Sequence, residues 1–136
     1  MYSKTIGWNL DNSYSNLPGA LFTKISPATV KSPRLTIFNY SLAKEIGLNF
    51  SEVNEKELAS VFSGNKLPDG SKTIAQAYAG HQFGQFTLLG DGRALIFGEQ
   101  ISQNQKRYDI QFKGSGKTPY SRGADGKAAL GPMLRE

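Results

Sequence analysis

The residues best suited to hold a phosphate group lie in the second half of the chain. Gly90 and Gly92 flank Asp91 in a short turn, where backbone amides can approach an anion without obstruction by side chains. Arg93 follows the turn and adds a guanidinium group that can grip phosphate oxygens. Lys113 ends an alternating apolar–polar run, and Glu136 lies on the helical segment that follows, where it can pair with Lys113. These residue types predict a phosphate-binding site.

One motif in this region imitates a different phosphate site. Residues 113–118 read KGSGKT, and Gly116-Lys117-Thr118 matches the end of an NTPase phosphate-binding loop. That loop also needs a glycine five positions before the triplet, but position 111 is Gln111. Pro119 follows at once and no apolar periodicity begins there, so the required helix is not predicted. We therefore interpret the match as accidental and reject an NTPase.

The order of the elements is informative. The predicted order matches that of the amino lobe in kinase-like nucleotide sites. It consists of a strand, a glycine turn, a second strand, a third strand with a lysine, and a helix with a glutamate. The turn departs from the glycine loop of protein kinases, which reads G-x-G-x-x-G-x-V. Taken singly, the signals have plainer readings: GDG is typical of an ordinary hairpin turn, and a strand lysine is usually solvated. His81 is interpreted as a loop or packing residue, and Asp125 as a helix N-cap.

Composition excludes several kinds of chemistry. The 136 residues contain no cysteine and one histidine, which rules out disulfides, thiol catalysis and a multi-histidine metal site within this chain. Apolar residues make up 38%, and the formal net charge is +5, which suits a partner that carries phosphate. No membrane span or signal core is recognisable, so we expect a cytoplasmic protein.

The elements that must position the site fall into two parts. Residues 1–72 form an amino-terminal extension, with strands expected at 20–27 and 33–40 and helices at 41–47 and 54–64. Gly47 is expected to cap the first helix, and Asn54 with Glu57 to cap the start of the second. No chemistry is assigned to this part.

The second part, residues 73–136, carries the candidate site. From residue 73 a small-residue helix is expected to give way to a glycine-flanked loop. Residues 86–113 predict an antiparallel three-strand meander with a tight turn at Asp91-Gly92. Its last strand alternates strictly, so one face is expected to be buried and the other, with Lys113, to point to a cleft; the buried face comprises Tyr108, Ile110 and Phe112. The fold class is therefore α+β. The run KAALGPMLRE stops at Glu136 without a cap, which is typical of a helix in a longer protein.

Four segments together resemble the selenoprotein O family of protein adenylyltransferases: AGHQFGQF, LGDGRALIFGE, DIQFKGSGKTPYSR and ADGKAALGPMLRE. The resemblance is dense over residues 73–136. It implies the amino-terminal lobe of a protein-kinase-like fold, formerly classed as a pseudokinase, that binds ATP in an inverted orientation. It also implies transfer of AMP to Ser, Thr or Tyr hydroxyls of proteins.

The same resemblance implies the residues that contact the nucleotide: Gly90, Gly92, Arg93, Lys113, Asp125, Gly126 and Glu136. The cofactors implied are ATP and Mg²⁺. The catalytic aspartate and the Mg²⁺ ligands are expected beyond residue 136, so this fragment is expected to be inactive alone. Two departures stand out. Lys127 replaces the usual arginine of the Asp-Gly-Arg motif, and Gly131-Pro132 interrupts the helix before Glu136.

The alternative function is a small basic nucleic-acid-binding module. The +5 charge and the aromatic residues would suit it. However, Lys and Arg are scattered, and no aromatic–basic motif of an RNA-binding sheet occurs. The expected partners are therefore ATP and protein substrates, and neither nucleic acid nor a membrane.

Overall fold

The computed structural model describes residues 6–135 and has an α+β architecture built on antiparallel sheets. Its seven strands, in chain order, are β1 (Leu10–Asp11), β2 (Phe22–Lys24), β3 (Ile74–Gln76), β4 (Ala79–Gln82), β5 (Gln85–Leu88), β6 (Ala94–Ile101) and β7 (Arg107–Lys113). The α-helices are α1 (Tyr40–Glu45), α2 (Glu55–Phe62) and α3 (Leu130–Arg135), and short 3₁₀ turns cover Tyr14–Asn16 and Gly19–Leu21.

Strand β6 is the centre of the main sheet. It pairs along its whole length with β7 on one edge, from Ala94 opposite Lys113 to Ile101 opposite Arg107. Its other edge pairs first with β3 and then with β1, and β2 extends the sheet beyond β3. Seven of its eight residues are buried, because neighbouring elements cover both faces of the strand.

A small apolar cluster around Ile96 lies on one face of this sheet. Two larger clusters share the opposite face, and both contact Ile110 of β7. One gathers Phe50 and Leu58 with residues of α1, and the other gathers Leu95, Phe97 and Phe112. Trp8 connects them, because its ring makes edge contacts with Phe50 at 5.8 Å and with Phe97 at 5.6 Å. Such aromatic edge contacts stabilise a packed core beyond simple burial. Residues on both sides of position 72 therefore contribute to the same core.

The predicted helices of the first part are confirmed. The Asn54 side chain accepts a hydrogen bond from the Glu57 backbone at 2.9 Å, which caps α2. Gly47 and Gly64 follow the two helices with φ of +88° and +84°, the left-handed conformation expected of such caps.

The strand predictions for this part were only half right. Of residues 20–27, three form β2, whereas residues 33–39 form no strand. Leu35 and Phe38 in that stretch are partly buried against the Phe50 cluster, while Ile37 is 74% exposed. The apolar residues are thus used for packing alone, because no strand lies alongside to pair with their backbone.

The predicted meander was right at one hairpin and wrong at the other. Strands β6 and β7 pair as expected, and Tyr108 and Ile110 are half-buried while Phe112 is buried. Strand β5, however, pairs with β4 in a separate two-stranded sheet. The tight turn lies at Phe83-Gly84, where both residues have positive φ, and not at Asp91-Gly92.

The helix expected after residue 73 was also wrong, because β3 and β4 occupy that stretch. Ala75 is fully buried between β2 and β6, so pairing within the sheet overrides the helical preference of small residues. Asp125 does not cap a helix either. Its carboxylate accepts from the Lys127 backbone at 2.9 Å in a local turn, and α3 begins only at Leu130. Pro132 falls in the first turn of α3, where its missing N–H costs no helical hydrogen bond.

Candidate functional site

A cleft of about 730 Å³ opens where the segment 89–93 meets the end of β7 and the loop 114–127. Every predicted site residue that the structure describes lines this cleft: Gly90, Gly92, Arg93, Lys113, Asp125 and Gly126. Glu136 lies outside the described residues, so its predicted pairing with Lys113 stays a prediction. All the residues that line the cleft fall between positions 76 and 127.

The glycine segment is a bulge inside one long hairpin. The backbone N–H of Leu89 donates to the carbonyl of Tyr78 at 3.0 Å, and that of Asp91 donates to the carbonyl of Gln76 at 2.9 Å. The pairing of β4 with β5 therefore continues towards β3 and β6, with residues 90–93 as the irregular stretch. Gly90 has a φ of +80°, and a Cβ atom there would lie 2.7 Å from the Tyr120 ring. Only glycine fits this position.

Asp91 is a structural acid at the base of the cleft. It is 6% exposed, and its carboxylate accepts a hydrogen bond from the Gln76 backbone at 2.9 Å. Burial raises the pKa of the Asp91 carboxyl, although hydrogen bonds from Gln76 and Tyr78 oppose this effect. Burial, together with the charge of Asp91, raises the pKa of the Tyr78 hydroxyl as well. The Asp91 side chain therefore holds the bulge in shape.

The loop after β7 fastens the bulge from the other side. The Thr118 hydroxyl donates to the carbonyl of Asp91, and the Ser121 hydroxyl donates to the carbonyl of Gly92 at 2.6 Å. The Thr118 backbone N–H in turn donates to the Ser121 hydroxyl oxygen at 2.8 Å. Thr118 and Ser121 are both buried. The Thr118 of the false phosphate-loop motif is thus a structural anchor, while Lys117 is exposed and is not among the residues lining the cleft.

The far end of the same loop folds back onto its beginning. The backbone N–H of Gly116 donates to the carbonyl of Gly126 at 3.0 Å, and that of Gly114 donates to the carbonyl of Arg93 at 2.7 Å. A Cβ atom at Gly126 would lie 1.9 Å from the carbonyl oxygen of Gly116. This close approach brings Asp125 and Lys127 beside Lys113 at the cleft.

The cleft is rich in cationic side chains. Arg93, Lys113, Arg122 and Lys127 all line it, whereas its acidic residues are Asp91, which is buried, and Asp125, which is exposed. Arg122 and Lys127 were not among the site residues predicted from the sequence. The available signal for Lys127 was its place directly after Asp125-Gly126, whereas motif spacing offered none for Arg122. Cationic side chains next to the accessible backbone amides of glycines suit a ligand with several phosphates.

Among residues 6–135, no group of three or more His, Cys, Asp and Glu side chains is arranged to hold a metal ion. The Asp91 carboxylate is buried and already hydrogen-bonded, so it does not fit the role of a metal ligand. His81 lies on the exposed β4–β5 hairpin, where its ring contacts Phe86 at 5.8 Å, and it is not among the residues lining the cleft. No helix in the described part of the chain is long and apolar enough to cross a membrane.

Comparisons with known proteins agree on one family. A family model described as protein adenylyltransferase SelO matches residues 5–136. A protein nucleotidyltransferase YdiU from Nitrosococcus oceani is 60% identical over 136 residues, which is 100% of this chain and 28% of the relative. Proteins of the same name from Pelagibacter ubique and Brevibacillus brevis are 58% and 59% identical, over 97% and 96% of this chain and 27% and 26% of their own lengths. The chain thus spans just over a quarter of the length of these relatives.

Proposed function

Since the chain belongs to the SelO family of protein adenylyltransferases, we propose that it forms the ATP-binding portion of an enzyme that transfers AMP from ATP to proteins. The acceptors are the hydroxyl groups of Ser, Thr or Tyr side chains. The observation that carries this proposal is the cationic cleft whose lining includes Gly90, Gly92, Arg93, Lys113, Asp125 and Gly126. The name of the relatives, protein nucleotidyltransferase, supports the same class of reaction.

The proposed fold is the amino lobe of a protein-kinase-like domain, with residues 1–72 as an extension. Three features support it: a lysine that ends β7, a glycine bulge against that strand, and a helix that follows the loop. In kinase-like sites a lysine at this place contacts phosphate, and a helical glutamate holds it. Glu136 has that role in our proposal.

In the proposed reaction, the hydroxyl oxygen of the acceptor attacks the α-phosphorus of ATP. The new oxygen–phosphorus bond forms as the bond to the β-phosphate oxygen breaks, and the electron pair leaves with pyrophosphate. The hydroxyl proton passes to a base that we expect beyond residue 136. Arg93 and Lys113 face the growing negative charge, so they stabilise the transition state more than the ground state.

Mg²⁺ would add positive charge on the phosphates when bound. The described residues of this chain do not fit a metal site, so we expect its ligands beyond residue 136 as well. The chain alone is then expected to be inactive, because both the base and the metal ligands are supplied by the remainder of the full-length protein.

The position of the transferred label tests the proposal. The full-length protein is incubated with a protein acceptor and with ATP carrying ³²P at either the α- or the γ-phosphate. AMP transfer labels protein from the α-position only, whereas phosphoryl transfer labels it from the γ-position. Protein labelled from γ-labelled ATP alone would overturn the proposed function.

A further inference from the structure

Arg122 has a backbone conformation that side chains rarely adopt. Its φ is +51°, in the left-handed region, and Gly123 follows with a φ of +83°. A non-glycine residue persists in this region only when its surroundings impose it, and such residues concentrate at ligand-binding sites. Here the surroundings are the hydrogen bonds of Ser121, with the Thr118 N–H on one side and the Gly92 carbonyl on the other. The backbone of Arg122 is thus fixed at the edge of the cleft.

The same contact brings Arg122 next to Arg93. The Ser121 hydroxyl donates to the carbonyl of Gly92 at 2.6 Å, and each arginine directly follows one partner of that bond. Both arginines line the cleft. The ion pairs found among residues 6–135 join other residues, so neither guanidinium forms an ion pair with a carboxylate of that part of the chain. Two cations that line one cleft from adjacent backbone positions favour a ligand with several negative charges.

We propose that Arg122 is a further phosphate-binding residue, which with Arg93 forms an arginine clamp on the polyphosphate chain of the nucleotide. This inference rests on the proposed function and deepens it. Each guanidinium offers a planar fork of donors that matches two phosphate oxygens, which a lysine at the same place cannot do. Because the backbone of Arg122 is already fixed, binding has to order only its side chain and not the loop backbone.

The clamp acts on the polyphosphate and not on the nucleoside, and this distinction gives the test. Binding of ATP, tripolyphosphate and AMP to the full-length protein is measured by calorimetry for the natural protein, Arg122→Gln, Arg122→Lys and Arg93→Gln. We expect Arg122→Gln to weaken the binding of ATP and of tripolyphosphate by on the order of 10- to 100-fold. The affinity for AMP is expected to stay within about twofold of that of the natural protein, because AMP lacks the β- and γ-phosphates. Arg122→Lys keeps the charge but loses the planar fork of donors, so its affinity for ATP and tripolyphosphate should lie between those of the natural protein and Arg122→Gln.

Two variants separate binding from folding. Arg122→Gly removes the side chain at a position where glycine is favoured, so its melting temperature should equal or exceed that of the natural protein while tripolyphosphate binding still falls. Lys117→Gln is the matched control, because Lys117 is an exposed cation of the same loop that does not line the cleft. It should bind all three ligands normally.

The outcomes distinguish this inference from the proposed function. If Arg93→Gln weakens tripolyphosphate binding but Arg122→Gln and Arg122→Gly do not, the clamp is wrong and the proposed function stands. Equal weakening of AMP and tripolyphosphate by Arg122→Gly also contradicts the clamp, because it indicates general distortion of the cleft. If the natural protein binds none of the three ligands, the proposed function itself fails.

Discussion

Asp91 and Gln76 are joined by a reciprocal pair of hydrogen bonds across the base of the cleft. The Asp91 backbone donates to the Gln76 carbonyl at 2.9 Å, and the Gln76 backbone donates to the Asp91 carboxylate at 2.9 Å. The pair fixes one side of the glycine bulge, so the residues that follow it, including Arg93, start from a fixed point. The arrangement also keeps a carboxylate in a buried position.

That buried carboxylate predicts a pH effect on stability. Because the pKa of Asp91 is raised by burial, the folded state is penalised as pH rises from 3.8 through the raised value. Asp91→Asn keeps an acceptor for Gln76 without the charge, so we expect it to stabilise the fold at pH 7 by on the order of 1 kcal/mol. The gain in unfolding free energy should become smaller as pH falls through the pKa of Asp91. Urea unfolding of both proteins between pH 3.5 and 7.5 measures this dependence.

Asp69→Asn is the matched control for this experiment, because Asp69 is exposed. It should change the unfolding free energy little at any pH. A loss of stability in Asp91→Asn that is independent of pH would contradict the assignment of Asp91 as a penalised carboxylate.

Lys113 and Lys117 are four residues apart and should behave differently. Lys113→Ala in the full-length enzyme should lower the rate of AMP transfer by on the order of 10²–10³, the scale for losing one preorganised charge. Lys117→Ala should leave the rate nearly unchanged, since Lys117 lies outside the cleft lining. Radiolabelled AMP transfer by the two variants side by side is the measurement. Strong loss at Lys117 with normal activity at Lys113 would restore the NTPase-loop interpretation.

Gly126 and Gly123 separate steric clash from backbone strain. Both have positive φ, +69° and +83°, but a Cβ at Gly126 meets the Gly116 carbonyl at 1.9 Å whereas nothing lies within 4 Å of one at Gly123. Gly123→Ala should therefore cost about 1 kcal/mol of unfolding free energy, and Gly126→Ala about 3 kcal/mol or more. Denaturant unfolding of both variants measures the difference. Equal costs would mean that the loop does not fold back as described.

Glu99 predicts an acid-sensitive anchor for the amino-terminal segment. It is buried, it accepts hydrogen bonds from the Ser13 hydroxyl at 2.8 Å and the Tyr14 backbone at 3.0 Å, and it pairs with Arg107. Burial acts to raise the pKa of Glu99, but these hydrogen bonds outweigh it and hold that pKa below its usual 4.5. The stabilisation is thus present above pH 4.5 and is lost as pH falls through the lowered pKa.

Glu99→Gln should lower the free energy of unfolding, measured by urea unfolding, by on the order of 2 kcal/mol at pH 7. The reason is that a charged acceptor for several donors is replaced by a neutral one. The difference in unfolding free energy between Glu99→Gln and the natural protein should become smaller below pH 4.5. Glu52→Gln, at an exposed glutamate, serves as the control. A difference that is constant down to pH 3 would contradict the role of the Glu99 charge.

The sequence predicted those parts of the fold that depend on local chemistry. Helix caps at Asn54 and Gly47 and the alternation of β7 are properties of a few neighbouring residues, and the structure confirms all three. The position of the β4–β5 turn was missed because the choice between Phe83-Gly84 and Asp91-Gly92 depends on pairing. The bonds from Gln76 and Tyr78 to residues 89–91 decide that choice, and no local propensity encodes them.

The candidate site was predicted in part for a similar reason. Glycines beside cations, strengthened by the family resemblance, pointed to the six described residues that line the cleft. The contributions of Thr118, Ser121 and Arg122 depend on a loop that folds back against the glycine bulge. Contacts between residues almost 30 positions apart are invisible to motif spacing, so these residues emerged only from the fold.

The pairing of β1 with the end of β6 has a consequence for how the protein is made. Leu10 lies opposite Gln100, 90 positions later in the chain. A ribosome adding 5–20 residues per second exposes Leu10 roughly 5 to 20 seconds before its partner strand exists. Because β6 pairs with β1, β3 and β7, the main sheet cannot be complete until residue 113, the end of β7, has left the exit tunnel. Leu10 therefore waits for its partner strand, and Trp8 for its contact with Phe97, during most of the synthesis of this segment.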